Sequence, residues 1–169
     1  YNAAMVVFEI IKGGGATAVY HAINSDDVDK IMQHPMTSIA SDGPMTVFGV
    51  GSPHPRTYGT FTRVLGRYVR DRNILSLEEA IRKMTSLPAQ VLSISKRGLL
   101  KKGYFADITI FDPRTVIDKA TFEEPHQYAV GINTVLVNGV IVVENGLHNG
   151  NRPGRVLRGP GYNLWHNFA

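Results

Sequence analysis

The stretch T-S-I-A-S-D-G-P, Thr37 to Pro44, joins a short apolar run to a carboxylate and then to two residues that force a turn. A strand with an acid at its carboxyl end and a sharp loop after it is how α/β enzymes display a catalytic side chain. Taken alone, these eight residues leave two readings of Asp42 open. It is a base or a metal partner, or it caps the loop by accepting hydrogen bonds from nearby backbone N–H groups, as Asp-Gly turns do.

Upstream, residues 16–23 read A-T-A-V-Y-H-A-I, a strand pattern. Ser25 then offers a helix cap, with Asp26 and Asp27 favourable in the first turn. The helix carries Val28, Ile31 and Met32 on one face, and His34-Pro35 ends it. Strand, helix and strand with tight connections predict a parallel βαβ unit, which would bring His21 and Asp42 to the same sheet edge. His21 there is either a neighbour of the site or a packed structural residue. Further back, residues 2–12 predict a helix stopped by Gly13-Gly14-Gly15. The triple glycine is not a phosphate loop, because Ala16-Thr17 follows where a Lys and a Ser or Thr are needed.

Downstream, residues 43–58 form a long loop rich in Gly and Pro whose Met45, Val47 and Phe48 call for burial, the composition of a lid or pocket wall. His54-Pro55-Arg56 sets an imidazole and a guanidinium beside prolines. A planar guanidinium suits a carboxylate-bearing substrate, and equally a structural ion pair. Residues 61–72 predict an amphipathic helix with Phe61, Val64, Leu65, Tyr68 and Val69 inward, and Arg63, Arg67 and Arg70 on a solvated stripe. Ser76-Leu77-Glu78-Glu79 is a capping box, and a further short helix is expected to start at Pro88. From Gly98 the pattern turns to β: a strand over 105–111, then strands over 134–137 and 140–143 flanking Asn138-Gly139, a type I′ hairpin signal. The tail from Asn149 has no periodicity, and His148 and His166 are too isolated to argue for a metal.

The chain has 169 residues, 43% of them hydrophobic, enough for one full domain or two small ones. Charged residues make up 19%, below the roughly 25% of an average domain. The formal charge of +4 raises nucleic acid as a partner, but the bases alternate with acids and no aromatic platform accompanies them, so none is expected. No apolar run nears the ~18 residues of a membrane span. Cysteine is absent, which removes disulfides and thiolate chemistry and fits a cytoplasmic protein. The opening Tyr-Asn-Ala-Ala-Met-Val-Val-Phe-Glu reads like the middle of a helix, so a start inside a longer protein is expected and a signal peptide stays open.

Five pieces, in order, resemble the carboxyl-terminal part of the amidohydrolase superfamily: I-A-S-D-G at 39–43, H-P-R-T-Y-G-T-F-T-R-V-L-G at 54–66, M-T-S-L-P-A at 84–89, R-G-L-L-K-K-G-Y-F-A-D-I-T-I-F-D-P at 97–113 and V-N-G at 137–139. The H-P-R-x-Y-G-T-F piece looks like the D-aminoacylase (N-acyl-D-amino-acid deacylase) branch. One departure is Leu92-Ser93-Ile94, where that branch usually has Leu-Gly-Leu. The resemblance implies α/β plus β architecture: the last strands and helices of a (β/α)₈ TIM-like barrel over 1–95, part of a small β-sandwich over 96–148, and an irregular tail over 149–169. It implies that Asp42 takes the proton of a metal-bound water and passes it to the leaving amine. Arg56 would help hold the substrate carboxylate, with Ser41, His54 and Tyr58 nearby; His21 joins these substrate-binding candidates from the βαβ reading alone.

The same resemblance places the metal, zinc, mainly on ligands outside this chain: an H-x-H pair, a Cys or carboxylated Lys, and further His residues. The chain has neither H-x-H nor Cys, and Asp42 is its one candidate metal contact. A barrel alone needs about 200 residues, so the expectation is a fragment, inactive by itself, of a hydrolase acting on N-acyl-D-amino acids. Its apolar strands would be covered by the missing barrel portion or by self-association. The alternatives are a cyclic-amide hydrolase of the dihydropyrimidinase, dihydroorotase or allantoinase kind, or a non-catalytic binding or assembly module.

Overall fold

The computed structural model describes residues 2–16, 22–160 and 162. The expected strand over 16–23, His21 and His166 lie wholly or largely outside the described residues. The first helix, α1 (Ala3–Lys12), follows the predicted span, with the Asn2 side chain accepting from the Met5 N–H. Helix α2 (Ser25–Gln33) begins one residue earlier than expected. Its cap is Asn24, whose side-chain oxygen accepts from the Asp26 N–H, so Ser25 is the first helical residue.

The stretch 37–41 is not a strand among the described residues. It runs without ladder partners, because a strand is defined by a neighbouring strand and no described strand pairs with it. Helix α4 (Leu77–Met84) holds it instead. Lys83, wholly buried, donates from Nζ to the His34 carbonyl and, at 3.1 Å, to the Thr37 carbonyl. The Lys83 carbonyl accepts from the Ile39 N–H at 3.1 Å. Arg82 donates to the Pro35 carbonyl at 2.6 Å while making two hydrogen bonds, 2.7 and 2.8 Å, to Glu79. Three carbonyl acceptors, at 34, 35 and 37, thus end on two side chains of α4.

The helix expected over 61–72 starts earlier and changes pitch. Helix α3 (Arg56–Arg63) runs into a π-helical continuation, Val64–Asp71. Its face toward the segment 116–118 carries two small residues seven apart. A Cβ on Gly59 would stand 2.7 Å from the Asp118 Cβ, and one on Gly66 would stand 2.5 Å from the Val116 carbonyl oxygen. On the same side Arg63 pairs with Asp118 at 2.8 Å and Arg70 donates to the Val116 carbonyl at 2.7 Å. The expected solvated arginine stripe is therefore corrected: two of its three members dock a neighbouring segment.

Ser76 caps α4 as the capping-box pattern requires, accepting from the Glu79 N–H at 3.2 Å. Helix α5 (Ser86–Val91) starts two residues before Pro88. The β part is a four-stranded antiparallel meander, β1 (Ile108–Phe111), β2 (Ile132–Val137), β3 (Val140–Glu144) and β4 (Leu147–His148), in sequence order. Strand β1 is three residues shorter at its start than expected. Asn138 and Gly139 both have positive φ, 50° and 82°, which is the type I′ hairpin read from Asn-Gly. Arg97 ties this hairpin back: its guanidinium meets Asp107 and, at 2.5 Å, the Asn138 side chain, while Asp107 accepts the Asn138 N–H at 2.8 Å. Burial pushes the Asp107 carboxyl up, but the Asn138 N–H and Arg97 outweigh it and leave it below the ordinary carboxylate value.

Helices and sheet share one core. Met32, Val64, Leu65, Leu75, Ala80 and Val116 are buried together, with Ile39, Phe111 and Ile132 packed against them. Among the described residues no helix is long and apolar enough to cross a membrane.

Two outcomes follow from this packing. Gly66→Ala drives a methyl into the Val116 carbonyl inside a helix contact, and should cost about 1–3 kcal/mol of stability in denaturant unfolding, as overpacking does. The second concerns Glu79, which the Arg82 hydrogen bonds, with the Arg82 and Lys83 charges, hold at about 2 against an ordinary 4.5. A carboxyl depressed in the folded state stabilises above the unfolded value and loses that contribution as pH falls through the folded one. Stability should therefore decline from about pH 4.5 toward pH 2, and Glu79→Gln should show a shallower decline across that window in pH-dependent melting.

Candidate active-site edge

The clamp on residues 34–39 leaves the next residues, 40–43, running past the start of α3. Asp42 takes a left-handed conformation, φ 48°, which Asp tolerates better than most residues. Gly43 then passes so close to α3 that a Cβ would lie 2.8 Å from the Thr57 Cα. The Ser41 hydroxyl accepts from the Gly43 N–H at 3.3 Å and supports the turn. The outcome is an exposed carboxylate, 85% of its side-chain surface free, beside the first turn of a helix.

Arg56 is the first residue of that helix, and its Nη2 lies 3.0 Å from the Asp42 Oδ2. The two residues singled out in the sequence, one for proton transfer and one for a substrate carboxylate, are an ion pair here. Half of the Arg56 side chain is shielded, and it also borders a cavity of about 560 Å³ between residues 38–40, α3 and residues 118–123. His54 lines the same cavity. Its Nδ1 accepts from the Arg56 N–H at 3.0 Å, so the ring carries its proton on Nε2. Burial, and then the Arg56 charge, lower the His54 pKa, which keeps the ring neutral. The ring also packs edge-on against Phe122, centroids 4.9 Å apart.

Tyr58 sits on the other side of α3's first turn. Its hydroxyl is 3.0 Å from the His126 Nδ1 and 3.4 Å from the Thr46 Oγ1. Of the apolar residues expected to pull the loop 43–58 inward, Met45 and Val47 are exposed and only Phe48 finds a partner set, stacking on Tyr128 with centroids 4.9 Å apart. The structure thus brings Ser41, Asp42, His54 and Arg56 to one edge, with Tyr58 turned toward His126. Sequence reading passed over His126, Asp118 and Lys83. Nothing in their local sequence marks them, since their roles come from contacts 46 to 77 residues away.

Among the described residues no three His, Cys, Asp or Glu side chains come together as a metal site. The donors at this edge are the Asp42 carboxylate, paired with Arg56, and the His54 ring, whose Nδ1 takes the Arg56 N–H, so these two residues do not by themselves make a metal site.

The pattern of residues matches the amidohydrolase family model over residues 13–143. The chain belongs to the amidohydrolase family. It is 46% identical over 143 residues to the N-acyl-D-glutamate deacylase of Alcaligenes xylosoxydans xylosoxydans, an alignment covering 85% of this chain and 28% of that protein. It superposes on a solved D-aminoacylase with a TM-score of 0.82 at 42% identity, covering 89% of this chain and 31% of the other. A second likeness is to the N-acyl-D-glutamate deacylase of Bordetella bronchiseptica, solved with zinc and a phosphonate mimic of the tetrahedral intermediate: TM-score 0.74, 48% identity, 82% of this chain and 28% of that one. The amidohydrolase chain described here thus spans less than a third of the length of these relatives.

The close approach at Gly43 makes a testable demand on this edge. Gly43→Ala in the intact amidohydrolase should push residues 41–43 off Thr57 and separate Asp42 from Arg56. The expected result is a loss of turnover of about tenfold or more, as small misplacements of reacting groups produce, with the far-ultraviolet circular dichroism spectrum unchanged.

Proposed function

We propose that the intact protein hydrolyses the amide bond of N-acyl-D-amino acids, with Asp42 as its acid/base. The observation that carries this reading is the likeness to deacylases of that class over most of the chain, a span that includes the Asp42–Arg56 edge. In this reading the Asp42 carboxylate takes a proton from the attacking water and gives it to the leaving amine nitrogen. Its exposed position at a turn allows both transfers. Arg56 holds the substrate carboxylate: a single contact to Asp42 leaves most of its five donors for a second acid. Neutral His54 fixes the backbone of Arg56, and Ser41 fixes the turn that presents Asp42. Tyr58 and His21 are proposed to border the substrate.

Zinc is the metal proposed for the intact protein, held by residues outside this chain; the zinc in the solved N-acyl-D-glutamate deacylase supports it. We place residues 37–41, with Asp42 at their end, as the last strand of a barrel whose earlier strands lie mostly outside the chain, and the antiparallel meander as part of the small β domain. The lack of ladder partners for 37–41 among the described residues supports that placement.

The intact protein assayed against N-acyl-D-amino acids, their L enantiomers, and cyclic amides such as hydantoins should hydrolyse the D series. Activity confined to the cyclic amides would replace this reading with the cyclic-amide one. Asp42→Asn keeps a side chain that tolerates positive φ, so folding should persist while kcat falls by about 10²–10⁴, the range a positioned acid/base supplies. Unchanged kcat in that variant would reduce Asp42 to a turn residue.

A further inference from the structure

We propose that His126 is a positioning residue, a two-ended latch that fastens the loop after Asp42 to helix α3 and thereby keeps Arg56 in register for its substrate. The proposal rests on the Asp42–Arg56 edge being the active one. His126 comes from the segment between Ala120 and β2, 70 residues after Arg56 in the chain, yet it touches both the loop that follows Asp42 and the helix that Arg56 begins.

The hydrogen bonds determine what the ring does. Nε2 lies 2.9 Å from the Gly51 carbonyl oxygen, which can only accept, so Nε2 carries the proton. In the neutral ring Nδ1 is then a bare acceptor, and two groups point to it: the Gly49 N–H at 3.1 Å and the Tyr58 hydroxyl at 3.0 Å. One side chain therefore engages a donor and an acceptor of the turn 49–51 and a hydroxyl on α3 two residues after Arg56. Around it the rings of Phe48 (5.5 Å) and Tyr58 (5.8 Å) pack edge-on, and Tyr128 stacks on Phe48 to close the cluster. The loop is otherwise poorly anchored. Met45, Val47 and Val50 are largely exposed, and within the loop the turn at 47–50 has a Val50 N–H to Val47 carbonyl bond. A loop with few buried contacts opens at low cost, so one bidentate side chain can decide whether it stays seated.

The chemistry required of the residue is specific. One donor and one acceptor must sit about 2 Å apart on a planar group, which imidazole and a Gln amide both provide and Phe does not. Seating the loop orients Arg56 equally toward bound substrate and transition state, so its loss should appear in KM and leave kcat nearly unchanged.

The test uses the intact protein and its variants His126→Phe and His126→Gln. Hydrogen–deuterium exchange over residues 46–52 gives a readout that depends on no substrate. Kinetics are measured on whichever compound the substrate screen finds to be hydrolysed best. His126→Phe, which keeps the ring packing, should speed exchange of the Gly49 and Val50 amides at least tenfold and raise KM about tenfold at near-constant kcat. His126→Gln should recover most of both. Exchange in His126→Phe equal to that of the parent would overturn the latch, and faster exchange with unchanged KM would overturn the positioning role. A screen in which N-acyl-D-amino acids fail removes the proposed function, while the exchange and KM comparison still decides the role of His126.

Discussion

The contact on which the candidate site depends is a buried cation with no role in chemistry. Lys83 is fully buried, and its ammonium is satisfied by two carbonyls and by Glu79 at 3.6 Å. Burying an ammonium is costly unless it is paired and fully hydrogen-bonded. The arrangement persists because its partners are main-chain acceptors of a turn, His34 to Thr37, that has no ladder to satisfy them. The lysine and the turn each supply what the other lacks. Arg82 repeats the device one residue earlier, shared between Pro35 and Glu79. Residues 38–42 then continue from a fixed point, and the positive φ of Asp42 and the bare Cα of Gly43 carry the chain across the start of α3.

The sequence disclosed the elements whose causes are local. Ser76 and Asn138-Gly139 act within three residues of themselves and stand where the pattern put them, while Asn2, read as the first helical residue, is the cap of α1. The cap of α2 slipped by one residue because Asn24 and Ser25 are both good caps and only packing chooses between them. The stretch 37–41 reads as a strand by composition, but pairing is a property of neighbours, and the described residues offer only a helix. Likewise, α1 is a sound helix by propensity whose Val6, Phe8 and Ile11 remain exposed, since periodicity shows which face is apolar without showing what covers it.

At the site the division is the same. Asp42, His54 and Arg56 were legible because turn-forming glycine and prolines flank them, and these residue types carry chemistry. That Asp42 and Arg56 pair was not legible, because the 13 residues between them obey no period. His126 and Asp118 stand in segments with no regular pattern, and only folding brings them to α3.

The run H-P-R-T-Y-G-T-F-T-R-V-L-G now separates into two codes on one helix. Gly59, Arg63, Gly66 and Arg70 recur at intervals of three and four and face residues 116–118. The small residues let the backbones approach, and the arginines seal the contact at its rim. Arg56 and Tyr58 belong to the first turn, and His54 stands just before it; they point toward the cavity, Asp42 and His126. Rigid docking of the helix body fixes the direction of its first turn, so precision at Arg56 depends on glycine contacts, the farther of them at Gly66 nearly three turns away. A change at Gly66 and a change at His126 would then perturb the same guanidinium from opposite ends, one by tilting the helix and one by releasing its loop. Such coupled positions are expected to be non-additive, whereas Arg97, tied to the hairpin through Asp107 and Asn138, should add independently.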